Sequence, residues 1–259
     1  MLPGEKQPGS TTVSPRFTVQ VGACLMDLKA LMLRSGECWR NLRITASLAP
    51  HSAPQPLVPW YMASFRYDYH VMHCAPVLRF ACVSDEAEYR RLQTDPGMTE
   101  VWYFQPKGDL DATSPDVFAL TELTVNGRPH AIQRSIRAGG QYYTARLIDS
   151  AVSPMGDTDG ELCELTISFT YRGLVQQYGH LLRVDLIKPT DGLTIALHYA
   201  TTGIRRVSVV DYIASAARPM ISQTPATAPS PSIAVTFDGW VLPKAGIVFV
   251  WALDSETIT

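Results

Sequence analysis

Strict alternation of apolar and polar residues restricts this chain more than any other feature. Cys163, Leu165, Ile167, Phe169 and Tyr171 occupy one phase, and Glu164, Thr166, Ser168, Thr170 and Arg172 occupy the other. A period of two sends successive side chains to opposite faces of a strand, a pattern that a helix cannot use to build a core. The same alternation returns in Leu182, Val184 and Leu186 around Arg183 and Asp185, and in Leu193, Ile195, Leu197 and Tyr199 around Thr194, Ala196 and His198. Ile204 to Ile213 is β-branched, Ile233, Val235 and Phe237 repeat the pattern, and Ile247 to Leu253 is apolar on both faces and predicts a central strand. Turn-bounded strands at this spacing predict an antiparallel β-sandwich or barrel-like half over residues 161–259. A sheet with one wet face accounts for the clean alternation.

The preceding segment predicts a β-rich α+β domain over residues 16–150 with one or two short helices. Tyr61, Ala63, Phe65, Tyr67, Tyr69 and Val71 alternate with polar residues as a long half-buried strand, and Val77 to Val83 reads as another. Ser84 followed by Asp85, Glu86 and Glu88 has the chemistry of a helix start, with Asp95-Pro96-Gly97 ending it. Asn126-Gly127 between Phe118–Val125 and Arg128–Ile136 predicts a type I′ hairpin, with Pro129 placing the return strand on an edge. Gly139-Gly140 turns into a strand over Gln141–Ile148, while Cys24 to Leu33 fits a helix or a buried strand equally.

Four breaks punctuate the chain. Residues 1–15 read as a flexible leader. Residues 49–59 carry four prolines and predict no regular element. Residues 150–160 have the turn chemistry of a long connection, which places the domain boundary there, and residues 218–231 hold four more prolines.

Composition narrows the function. Of 259 residues, 18% are charged and the formal net charge is −2, so no basic footprint for gripping nucleic acid is present. The 46% hydrophobic content is incompatible with a disordered chain. No run reaches the roughly 20 apolar residues that a membrane-spanning helix needs. Cys24, Cys38, Cys74, Cys82 and Cys163 lack zinc-ribbon or disulfide-framework spacing, which predicts reduced thiols in a cytoplasmic protein.

Chemistry-bearing clusters are few. His70, His73 and Cys74, with Cys82 further on, are the right residue types for zinc. In a strand, however, His70 and Cys74 share a face and His73 opposes them, so no metal or other cofactor is assigned. Cys38 lies in a plausible loop without a placed histidine, and neither nucleophile elbow nor phosphate-binding glycine loop occurs. Gly156–Gly160 opens like a calcium loop, but Ser168 stands where the bidentate glutamate belongs. Trp102-Tyr103-Phe104, Tyr142-Tyr143 and Asp238-Gly239-Trp240 cannot all face one core. Buried, they would pack the halves together. Exposed near Arg134, Arg137 and Arg146, they would suit ligand stacking. His130, Arg134, Arg137, Tyr142, Trp102 and Trp240 are accordingly assigned to ligand binding.

The expectation is a non-enzymatic binding or sensor module that takes a small molecule or a protein partner in the cleft between its halves. One rival is a hydrolase or transferase built on Arg134, Arg137, His130, His70 or His73. The other is a self-assembling structural β protein, and a homo-oligomer is compatible with each.

Overall fold

Alternation becomes strand wherever it is long enough to cover a buried face. The structure is a computed structural model that describes residues 37–51, 59–72, 74–147, 164–213, 218–225 and 227–256, and residues 37–259 form one unit. The possible leader, Cys24 to Leu33, His73, Cys163 and Gly156–Gly160 lie outside the described residues.

The strands before the helix are β1 (Trp39–His51), β2 (Trp60–Val71) and β3 (Val77–Val83), followed by α1 (Glu86–Gln93). Next come β4 (Glu100–Tyr103), β5 (Phe118–Val125), β6 (Arg128–Pro129), β7 (Gln133–Arg137) and β8 (Gly140–Arg146). The remainder are β9 (Leu165–Gln176), β10 (Leu181–Asp185), β11 (Thr190–His198), β12 (Ile204–Asp211), β13 (Met220–Gln223), β14 (Ser232–Val241) and β15 (Gly246–Leu253). The chain is mainly β, with three sheets among the described residues. The largest has the order β13-β14-β11-β1-β2-β9-β5-β6, and the smaller two run β10-β15-β12 and β4-β3-β8-β7. None is a closed barrel.

The large sheet interleaves strands from both sides of residues 150–160. β2 pairs antiparallel with β9 from Trp60↔Gln176 to Val71↔Leu165, and β1 pairs parallel with β11. The division expected at that connection therefore does not separate two sheets: β2 and β9 have matching apolar phases and bury them together.

One face of this sheet is the core. Ile195, Ile44, Tyr67, Phe169 and Leu123 belong to successive strands and are all essentially inaccessible to water. The opposite face presents Arg43, Thr45, Ser64, Arg66, Asp68, Thr170 and Arg172, all exposed or half-buried. The two small sheets cover the apolar face. Phe80 of β3 meets Phe169 edge-on at 5.0 Å, and Trp251 of β15 meets Tyr61 at 5.9 Å. As expected, β15 is the central strand of its sheet.

Several boundaries differ from the expectation. β1 continues through Pro50, which stands opposite Tyr61 at the edge of the proline-rich break. β13 lies inside residues 218–231, between Pro219 and Pro225. The Asn126-Gly127 turn forms with positive φ at both residues (50° and 74°), as a type I′ turn requires. Its return strand stops after Pro129, which has no N–H for the ladder, and the chain crosses to β8 as β7. α1 is capped by Asp85, whose carboxylate accepts the Glu88 N–H at 2.7 Å. Ser84 instead donates its hydroxyl to the Gly139 carbonyl.

Phe169 lies deep in the ring packing, stacked on Tyr67 at 4.7 Å and edge-on to Tyr69 and Phe80. Truncating a fully buried phenylalanine leaves a cavity costing about 3–5 kcal/mol. Phe169→Ala is expected to lower unfolding free energy by that order in urea denaturation.

Candidate functional site

β4 is only four residues long, yet it sets the site. It runs parallel to β3 with Phe80↔Glu100 and Cys82↔Trp102 in register. Alternation turns Val101 into a small cluster with Ala81, Val83, Leu92 and Met98, and turns Glu100 and Trp102 to the other side. There they meet Phe65 and Tyr67 of β2 and Tyr171 of β9. Trp102 lies edge-on to Phe65 at 5.6 Å and to Tyr171 at 6.0 Å. α1 adds Tyr89 and Gln93, joined by a 2.7 Å hydrogen bond from the amide to the phenol oxygen. Tyr103 tilts against Tyr89 at 5.5 Å.

These groups line a cavity of about 310 Å3, completed by Leu174 and Val175 of β9 and by Leu181 to Asp185 of β10. The volume falls within the roughly 300–1,000 Å3 typical of small-molecule pockets. A second cavity of about 480 Å3 adjoins it and shares Gln93, Val101, Arg183, Asp185 and Ile187. Arg90, Lys188 and Lys244 contribute basic groups to that second space.

Glu100 is the chemical centre of the first cavity. Its carboxylate accepts a hydrogen bond from the Tyr67 hydroxyl and one from the Val101 N–H, each at 3.0 Å. The Tyr171 hydroxyl joins the same hydrogen-bonded group. Burial among the rings pushes this carboxyl up to about 7, against 4.5 for an ordinary glutamate; Asp185 adds to the rise and the hydrogen bonds oppose it. Burial likewise raises Tyr89 to about 12. Asp185 sits at the rim, accepting Arg183 Nε at 2.8 Å and the Tyr212 hydroxyl. Among the described lining residues of the first cavity there is no serine, cysteine, histidine or lysine. The chemistry on offer is apolar contact, hydrogen bonding and one near-neutral carboxyl.

Of the residues assigned from the sequence, Trp102 lines this cavity and the others lie elsewhere. Arg134 is spent on the Gln141 amide oxygen at 2.9 Å and on the Thr113 carbonyl. Arg137 lies 4.9 Å above the Tyr142 ring, whose hydroxyl donates to Glu88. The His130 ring contacts the Arg146 carbonyl, and Trp240 stands opposite Asp191 where β14 pairs with β11. These groups form no common pocket with Trp102. His70 contacts the Thr166 hydroxyl on the wet face, while Cys74 packs against the core with its thiol raised to about 12 by burial. No three histidine, cysteine, aspartate or glutamate side chains converge as a metal site among the described residues.

Tyr67 and Tyr171 are plain in the alternation, but Glu100, Tyr89, Arg183 and Asp185 were not assigned. Glu100 and Trp102 are two residues apart, so the phase of β4 was the available signal.

Comparison with known proteins adds no family. No protein-family model matches this sequence. No curated protein matches it. Among the solved structures that are similar is that of a Parabacteroides distasonis protein named provisionally as a protease, at 8% identity with a TM-score of 0.43. The similarity covers 84% of this chain, which spans 40% of that one. A likeness this distant transfers neither fold nor activity.

Two outcomes follow from the geometry. A Cβ on Gly173 would fall 2.8 Å from the Trp102 indole, which lies against this bare backbone. Gly173→Ala is expected to push the indole aside, lowering stability by about 1–3 kcal/mol and shifting tryptophan fluorescence. Glu100 binds its proton more tightly folded than unfolded, so its contribution to stability grows as pH falls from about 8 toward 4.5. Glu100→Gln should therefore be more stable than the parent at pH 8. The gap should close by pH 4.5, as read by denaturation at each pH.

Proposed function

We propose that this chain is a binding module for a small organic molecule, seated in the cavity between β2, β4, β9, β10 and α1. The observation that carries this reading is a mostly apolar, ring-lined space into which a half-buried carboxyl, Glu100, is set among hydrogen-bond donors. A few polar groups converging in an apolar cavity is the usual make-up of a ligand site. Each wall comes from a packed element: the β2 and β9 rings are fixed in the core, and Trp102 is braced against Gly173. A ligand would meet a preformed surface and lose little to ordering it.

The wider setting agrees with the reading. Cys74 and Cys82 are free thiols, which supports a reducing, cytoplasmic environment. No helix among the described residues is long and apolar enough to cross a membrane.

Titration with indole-bodied compounds carrying different headgroups, followed by protein-observed NMR, tests the proposal. Binding should perturb Trp102, Tyr89 and Leu182 and should be lost in Gln93→Trp, which fills the mouth from α1 without entering the core. Absence of binding by every member of the set, or undiminished binding by Gln93→Trp, overturns it.

A further inference from the structure

We infer that the ligand taken by this cavity is an organic cation, an alkyl- or arylammonium whose charged end sits against Glu100 with its body among the rings. The inference rests on the binding reading above and names the chemical class that the site would select.

Charge comes first. Glu100 and Asp185 are the carboxylates lining the cavity, and Arg183 is the cation. Arg183 is already paired with Asp185 at 2.8 Å and lies 5.3 Å from the Tyr212 ring. When Glu100 is ionised the site therefore carries one unbalanced negative charge. Its polar neighbours supply hydrogen bonds without supplying a positive charge: Tyr67 from β2, Tyr171 from β9 and the backbone N–H of Val101, while Tyr89 of α1 is neutral and takes its hydrogen bond from Gln93.

Ring geometry points the same way. Phe65, Tyr67, Tyr89, Trp102, Tyr103 and Tyr171 line one space of about 310 Å3. Aromatic faces are electron-rich and attract a desolvated cation, tryptophan most strongly. An anion would face those same rings together with Glu100, and of the basic groups in the adjoining cavity Arg90 already pairs with Glu86 and Lys188 with Glu37. A neutral ligand would leave the carboxyl with hydrogen bonds but no counter-charge, so that it keeps its proton near neutrality. A cation supplies that counter-charge, and by pairing with the carboxylate it releases the proton Glu100 otherwise holds.

Three compounds sharing one body separate the possibilities: tryptamine as its ammonium, neutral 3-methylindole and anionic indole-3-propionate. Isothermal titration at pH 8 should give the ammonium at least tenfold tighter binding than either of the others. Lowering the pH to 6 should weaken the ammonium about tenfold, as expected when a group titrating near 7 takes up its proton, and leave 3-methylindole unchanged. Glu100→Gln keeps the shape and the oxygen that accepts the Tyr67 hydroxyl. It should cost the ammonium tenfold or more, remove its pH dependence and spare 3-methylindole. Equal affinities for the ammonium and 3-methylindole, or an equal loss of both in Glu100→Gln, overturn the cation while leaving a neutral-ligand site standing. Failure of all three compounds to bind overturns the site itself.

Discussion

The stacked rings across β2 and β9 hold this molecule together. Phe65 lies on Tyr171 at 4.9 Å and Tyr67 on Phe169 at 4.7 Å, within a pairing that runs twelve residues without a slip. Cross-strand aromatic pairs of this kind stabilise a sheet beyond the area they bury. Both small sheets rest on the same apolar face, so a change in this seam is felt on either side of the sandwich. The seam also reaches the cavity, because the Tyr67 ring that stacks on Phe169 carries the hydroxyl that holds Glu100.

A carboxyl among rings is an expensive arrangement to maintain, and the local structure shows how it is tolerated. Two hydrogen bonds at 3.0 Å satisfy its oxygens, and its proton remains bound near neutral pH. The ion pairs on the wet face work differently. Arg66 and Asp68 meet at 3.1 Å, but both are well exposed, and such pairs add at most about 1 kcal/mol. Glu100 therefore differs from these exposed pairs, and also from Lys188 and Glu37, which are nearly buried but neutralise each other at 3.1 Å.

Much of the architecture was legible because alternation is a local signal. Leu193 to Tyr199, Ile233 to Phe237 and Tyr61 to Val71 each run long enough to declare a buried phase, and all are strands apart from Tyr199, just past the end of β11 at His198. β1 carries the same signal in Leu42, Ile44, Ala46 and Leu48, yet the prolines that follow it obscured a strand that includes Pro50. The site was less legible for two physical reasons. Its groups come from β2, β4, β9, β10 and α1, elements that only the sheet pairings bring together. β4 is also only four residues long, so the two-residue spacing from Trp102 is all that marks Glu100 in the sequence. Trp102 stood out because three consecutive aromatics cannot share a face. Arg134 and Arg137 stood out by charge alone, and the fold gives them to a neighbouring amide and a neighbouring ring.

The parallel pairing of β1 with β11 has a consequence for how the chain is made. Leu42 must find Leu193 and Ala46 must find Leu197, across roughly 150 residues of intervening chain. A hairpin can form as soon as its turn leaves the ribosome, but this contact waits until most of the protein has been synthesised. During that interval the nascent chain carries β1 with one bare edge, next to a β2 rich in apolar rings. The order of synthesis thus exposes the centre of the largest sheet before its last strands arrive, making that edge the surface on which a folding helper, or a neighbouring nascent chain, would first act.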